Sequence, residues 1–439
     1  MPIAWSINLD WESLDSGTPE ERACFAAIGI QAHDVWLTEG HDALANTLRK
    51  APRLSAYHLS EWMAWNWWRL RWEPRSTRAT EWASSHRISS IGGGYVWPNI
   101  TIFSDGERIA LIAKPTDERP QTPFRYIADV AAVIQASEFE TGANVFIEQV
   151  LERLASEKIQ NTNLEKIWQG VVEERSTPSL ARTRKLEALL GQEPDESDPK
   201  ILERLIADSK ELSDAAMEEI AADHGIGGSV TTADELREIA RTRGYDASPR
   251  DTTRINSGSG LPRAGQIPAW RFGAAAAQIL REQERLGEKQ ISDTLLANMM
   301  GTGPAVLDDR KGAANISFSL DENPINSRIV LRSKWKTGRR FELARVLGDR
   351  VANATSSKLF PATKAYTYRQ KIQRSFAAEF LSPFNIVDEM LQGDYSMENQ
   401  QEVAEHFEVS PMTIRTLLIN HRRIEREEFD GELEAVSAV

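Results

Sequence analysis

The stretch GRRFELARVLGDRVAN (residues 338–353), followed after a loop-like gap by RQKIQRSFAAEFLSP (residues 369–383), decides how the second half of this chain reads. Phe341, Leu343, Val346, Leu347 and Val351 recur at three-to-four spacing, which predicts a buried amphipathic helix. Ile372, Phe376, Ala377 and Phe380 repeat the pattern, and Pro383 ends it, because proline lacks an N–H and clashes with the preceding turn. Working outward, PAWRFGAAAAQILREQERLG predicts a helix and KQISDTLLANMMG a shorter one. ISFSLDENPINSRIVLRS alternates as a small sheet would, with Pro324-Ile325-Asn326 in the turn.

This order of elements, with RRF opening one helix and FAA-x-F-L-x-P closing the next, resembles the ImmA/IrrE-type metallopeptidase family. There the first helix reads roughly R-R-F-x-L-A-H-E-L-G-H and the second roughly E-x-x-A-N-x-F-A-A-x-L-L-M-P. The resemblance spans about residues 265–385 and implies a zincin-like domain with a small sheet. It also implies a zinc held by two histidines and a later Glu, with a neighbouring Glu as general base. In this chain Arg345 stands at the first zinc ligand, Val346 at the general base, Asp349 at the second ligand and Gln370 at the third. The framework residues Arg339, Arg340, Phe341, Leu343, Ala344, Leu347 and Gly348 match. Zinc needs three His, Cys or carboxylate ligands plus an open position, and a permanently cationic Arg repels it. The resemblance therefore implies a pseudo-peptidase with no metal and no other cofactor. Arg345, Asp349 and Gln370 are expected to converge in its cleft, with an Arg345–Asp349 salt bridge filling it or Arg345 holding a small anion.

Composition narrows the alternatives. The chain has 439 residues, enough for two or three domains, and a formal charge of −13 that argues for a soluble cytoplasmic protein. One cysteine, Cys24, excludes a disulfide framework and a Cys-rich zinc site. No charged leader and no apolar run near ~20 residues is present, so no membrane partner is expected. None of the seven histidines (His33, His41, His58, His86, His224, His406, His421) is followed by Glu, so no H-E-x-x-H helix exists. A metallopeptidase would need a relocated site, for which Asp349 with His33-Asp34 or His41-Asp42 is the only suggestive set.

Residues 1–121 read as a tryptophan-rich α+β domain, holding ten of the thirteen tryptophans. ITIFSDGERIALIA is a hairpin signal with Asp105-Gly106 at the turn. SAYHLSEWMAWNWWRL predicts a central helix capped by Ser55, its rings forming core or a partner surface. Arg53 and His58 have a spacing seen in some HEPN-type ribonucleases, a weak pattern on its own. Residues 122–246 read as an acidic helical region in which DVAAVIQASEFETGANVFIEQVLERLA opens a run of helices. Residues 247–266, polar and rich in Ser, Gly and Pro, read as a linker, and 267–390 as the degenerate ImmA/IrrE-like domain.

From Arg310 to Arg374 fifteen Lys or Arg face four Asp or Glu. Such asymmetry is the footprint of a nucleic-acid or anion site, or else of pairing with the acidic middle region. Arg339, Arg340, Arg345, Lys371 and Arg374 are the candidates here. Residues 396–424 form a helix-turn-helix-like element in which Ser410 caps the second helix and Pro411 begins it. In a DNA reader Met412, Thr413, Arg415 and Thr416 would face bases and His421, Arg422 and Arg423 phosphates. Glu398, Glu402, Glu405 and Glu408 on the preceding helix oppose that use. Residues 425–439 form an acidic tail.

The expected fold class is α+β, mainly helical. The expected function is non-catalytic regulation or binding through a protein partner or nucleic acid. The resemblance implies a setting of stress, mobile-element or phage-defence regulation. A DNA-binding transcription regulator and a metallopeptidase with a non-standard site are the alternatives.

Overall fold

The computed structural model describes residues 4–76, 79–116, 122–228, 230–256, 258–308, 314–352 and 357–425. The fold is α+β, with small antiparallel sheets among many helices. No helix among the described residues is long and apolar enough to cross a membrane. The chain divides into two compact units, one up to Ser197 and one from Asp198. The acidic region predicted as one block over 122–246 is thus shared between them. Beyond Glu425 the predicted acidic tail lies outside the described residues, as do Arg310 and Lys311 of the basic run.

In the first unit the strands Trp5–Trp11 and Phe25–Ala32 pair antiparallel in strict register, and Arg53–Ser55 joins the second of them. The predicted hairpin forms from Ile100–Ser104 and Arg108–Ala113, with Gly106 at a φ of 103° that a side chain rarely adopts. One expectation fails here. Val130–Gln135, read as the start of a helix, is a third strand paired to Arg108–Ala113, with Ala132 and Ile134 buried on alternate positions. The helix begins only at Ala136, where Gln135 and Glu138 form a capping box. The hairpin edge offers Val130–Gln135 a ladder, and tertiary pairing overrides local preference.

The tryptophans are mainly core. Trp5, Trp67, Trp68, Trp82 and Trp97 are buried, whereas Trp65 is exposed. Helix Ala56–Trp65, capped by Ser55, carries Leu59, Met63 and Ala64 into that core. Arg53 donates to Glu12 and His58 packs edge-on against Tyr57 and Tyr95, so each has a local structural role.

The second unit is built around a five-stranded antiparallel sheet. Its order is Met300–Thr302, Tyr245–Thr252, Ser327–Val330, Ser317–Asp321, Leu359–Ala362. Three of these strands depart from the sequence reading: Met300–Thr302 takes the end of the short helix expected over KQISDTLLANMMG. Tyr245–Thr252 takes up the first part of the predicted linker 247–266, and Leu359–Ala362 lies in the supposed gap before residue 369. Polar composition hid Tyr245–Thr252 because Ser248, Pro249 and Arg250 fall where its register with Met300–Thr302 shifts.

The helix Lys336–Ala352, hereafter the central helix, buries Leu343, Val346 and Leu347 completely. The helix Tyr368–Leu381, hereafter the cover helix, packs across it, and Ala269–Gln283 packs on the cover helix in turn. Two glycines set these distances. A Cβ at Gly348 would lie 2.6 Å from the Phe376 ring, and one at Gly273 would lie 2.5 Å from the Ile372 carbonyl. The terminal helices Met397–Phe407 and Pro411–Asn420 add Val403, Phe407, Ile414 and Leu418 to the same core.

Candidate functional site

The four positions at which the resemblance places metal chemistry lie on the central and cover helices. Arg345 is buried, and its Nη2 donates to the Thr363 carbonyl at 2.7 Å and to Gln370 Oε1 at 2.6 Å. Its Nε is buried without an acceptor. Burial, then the neighbouring Arg374, pulls the Arg345 guanidinium well below its ordinary pKa, although an arginine stays charged at neutral pH. Val346 is fully buried among apolar residues. Asp349 is fully buried, and Arg369 of the cover helix donates to both its oxygens, at 2.7 and 2.6 Å.

The expected Arg345–Asp349 bridge therefore does not form. The planar fork of Arg369 meets both carboxylate oxygens from the facing helix, which leaves Asp349 engaged before Arg345 can reach it. Arg345 turns instead to the amide of Gln370. Of the three residues expected to converge, Arg345 and Gln370 touch and Asp349 is taken elsewhere.

These residues do not suit zinc. A guanidinium has no lone pair, the Asp349 carboxylate is engaged by Arg369, and Gln370 Oε1 also accepts from the Thr363 N–H at 2.9 Å. Among the described residues no group of three His, Cys, Asp or Glu could hold a metal ion. His33 and His41 make hydrogen bonds inside the first unit, to the Val133 carbonyl and to Asn46. A further carboxylate, Glu219, sits beside the Asp349–Arg369 pair. It accepts from Thr367 Oγ1 at 2.7 Å, and burial, opposed by Arg369, pushes its pKa up to about 7.

Part of the basic run is neutralised within the second unit. Arg339 donates to the Val306 carbonyl, and Arg340, with no exposed surface, to Asp293 and the Ile291 carbonyl. Arg328 pairs with Asp246, Arg332 with Glu342, Lys336 with Asp293 and Arg350 with Asp321. The charge asymmetry read from the sequence is thus in part internal pairing, and Arg339 and Arg340 are held within the fold.

Several members of the run, Arg332 among them despite its pairing with Glu342, border one cleft of about 600 Å³, a size typical of small-molecule sites. Arg332, Arg345, Lys364, Lys371 and Arg374 line it, and no Asp or Glu does. Among the described residues neither Arg345 nor Arg374 has a carboxylate within ion-pair distance. Arg374 instead donates to the carbonyls of Lys364 and Ala365, and burial lowers its pKa. Trp270, Trp335, Phe341 and Tyr366 also line the cleft. Trp335 is 78% exposed, an unusual cost for an indole with no covering group.

The terminal helices form one wall. Ser410, Met412, Thr413 and Thr416 line the cleft, so three of the four residues that a DNA reader would aim at bases border it, with Met412 still exposed. Thr413 is buried and held by Ser410, and Thr416 Oγ1 donates to the Met412 carbonyl. Arg415 lies near Met397, Arg423 pairs with Asp388 at 2.6 Å, and Arg422 is exposed at a positive φ.

Lys364, Tyr366, Trp270 and Trp335 were not foreseen as site residues. Trp335 did carry a signal, as a lone aromatic residue within the polar run RSKWKTG between a strand and a helix. Comparison with protein-family models, curated protein sequences and solved structures gave no match.

Proposed function

We propose that this chain is a non-catalytic binding protein of ImmA/IrrE-like build, in which the cleft of a peptidase scaffold takes an anion. One observation carries the reading. At the position of the first zinc ligand stands a buried guanidinium whose Nε faces no acceptor among the described residues, beside a second arginine, Arg374, that has no carboxylate partner among them. A group that costs so much to desolvate is retained where a bound anion offsets the cost. The general-base position, Val346, has no titratable atom, which supports the absence of hydrolysis. A regulatory role, with a protein or nucleic-acid partner, rests on the resemblance alone.

The reading is tested by elemental mass spectrometry on purified protein, together with cleavage of unstructured peptides in the presence of added zinc. The expected result is folded protein with no stoichiometric zinc and no zinc-dependent cleavage. Stoichiometric zinc with cleavage abolished by a chelator would overturn it.

A further inference from the structure

We propose that the ligand of this cleft is a nucleotide, held by its phosphates on the inner cations and by its base against the aromatic rim. The inference rests on the anion-binding reading above and adds the chemical class.

Three features converge on it. The first is charge depth. Arg345 and Arg374 lie at the inner end without carboxylate partners among the described residues, and Lys364 is exposed at the cleft. Several cations around one small volume suit a multiply charged phosphate better than a single carboxylate, and arginine forks match phosphate oxygens.

The second is the backbone. Thr337 and Gly338, in the first turn of the 17-residue central helix, line the cleft, and so do Ser410 and Met412 at the start of Pro411–Asn420. Two helix N-termini thus turn their positive dipole ends to one cavity, although at the second Pro411 has no N–H and the Thr413 N–H is capped by Ser410. Gly338 allows this tight entry, since a Cβ there would lie 2.2 Å from Ser333 Oγ.

The third is the rim. Trp335 stands exposed at the cleft beside the partly buried Trp270 and Tyr366, and planar bases stack on such rings. The 600 Å³ volume admits a mononucleotide, with Thr413 and Thr416 along one wall.

The test uses the full chain and its own tryptophans. ATP, AMP, adenosine, inorganic phosphate and a short single-stranded oligonucleotide are titrated at low and moderate salt, following fluorescence and heat. Saturable binding of a nucleotide is expected, about tenfold or more tighter than adenosine or phosphate alone, as the loss of one charge-assisted or stacking contact implies. Trp335→Ala, at an exposed position, should weaken ATP several-fold without changing the circular dichroism spectrum. Lys364→Glu should weaken it and reduce the salt dependence. Because Arg345 is buried, Arg345→Met is judged only after its unfolding transition is shown intact, and should then weaken ATP by tenfold or more.

A nucleotide that fails to bind, binds no tighter than inorganic phosphate, or binds more weakly than the oligonucleotide overturns the proposal. The zinc measurement separates the two failures. Zinc-free protein that ignores nucleotides removes the ligand class and leaves the non-catalytic reading standing, whereas zinc-loaded protein removes that reading itself.

Discussion

Each unit buries an arginine in a polar cluster, and the two clusters are compensated in opposite ways. In the first unit Arg69 donates to Glu73 at 2.6 Å, to Ser85 at 2.7 Å and to Glu193 at 2.5 Å. His86 completes the set, with one ring nitrogen 2.9 Å from Glu73 and the other 2.7 Å from the Ile102 carbonyl, its ring stacked on Trp82. There the guanidinium faces carboxylates. In the second unit Arg345 meets only carbonyl and amide oxygens and borders a cavity. Compensated charge is a fastening, whereas uncompensated charge beside a cleft is a cost carried until a ligand arrives.

The largest expected effect breaks the compensated cluster. Glu73→Ala leaves Arg69 and His86 buried without their shared carboxylate, and should cost about 3–5 kcal/mol in urea unfolding. A loss below ~1 kcal/mol would mean that water already compensates this site.

The two buried glutamates should then respond to pH with opposite signs. Burial alone would raise the Glu73 pKa, but His86 and Arg69 hold it below the ordinary value. Its contribution is therefore present above the unfolded pKa and is lost as pH falls through the depressed folded one. Glu219 is the reverse, since its folded pKa of about 7 lies above the ordinary 4.5. Folded protein then holds the proton more tightly than unfolded protein, and stability falls as pH rises from 4.5 through 7. The wild-type minus Glu219→Gln difference should drift by up to about 3 kcal/mol across that window, read from urea midpoints at each pH. A flat difference curve would show that Glu219 is not the responding group.

Gly348→Ala tests the packing that holds the cleft in shape. Its Cβ would meet Phe376 at 2.6 Å, so a loss of about 1–3 kcal/mol is expected despite the better helix propensity of alanine. Unchanged or raised stability would show that the cover helix shifts freely. Smallest of all, Trp335→Ala should change stability by no more than about 0.5 kcal/mol, because the indole is exposed. A larger loss in thermal unfolding would make Trp335 part of the core rather than of the rim.

Much of the second unit's core was legible in the sequence. The period of Leu343, Val346 and Leu347 and the stop at Pro383 set both helices, because an apolar face must be buried whatever it packs against. The strands at 130–135, 245–252 and 359–362 were not legible as strands. Their ladders depend on partners distant in the chain, and short polar or small-residue runs carry no period of their own. The site was half legible. Arg345 and Gln370 were placed together, but the capture of Asp349 by Arg369 was not seen. Which cation meets which carboxylate depends on helix rotation, and composition does not contain that. For the same reason the fifteen basic residues read as one patch, although Arg328, Arg332, Lys336, Arg340, Arg350 and Arg369 each face a carboxylate.

The most direct test of the central contrast is the stability of Arg345→Met in urea, measured beside Glu73→Ala. If the Arg345 guanidinium is an uncompensated charge kept for a ligand, an apolar side chain of similar length should leave stability unchanged or raise it by about 1 kcal/mol. A loss of 3 kcal/mol or more, comparable with that of Glu73→Ala, would contradict the account and make Arg345 a structural fastening like Arg69.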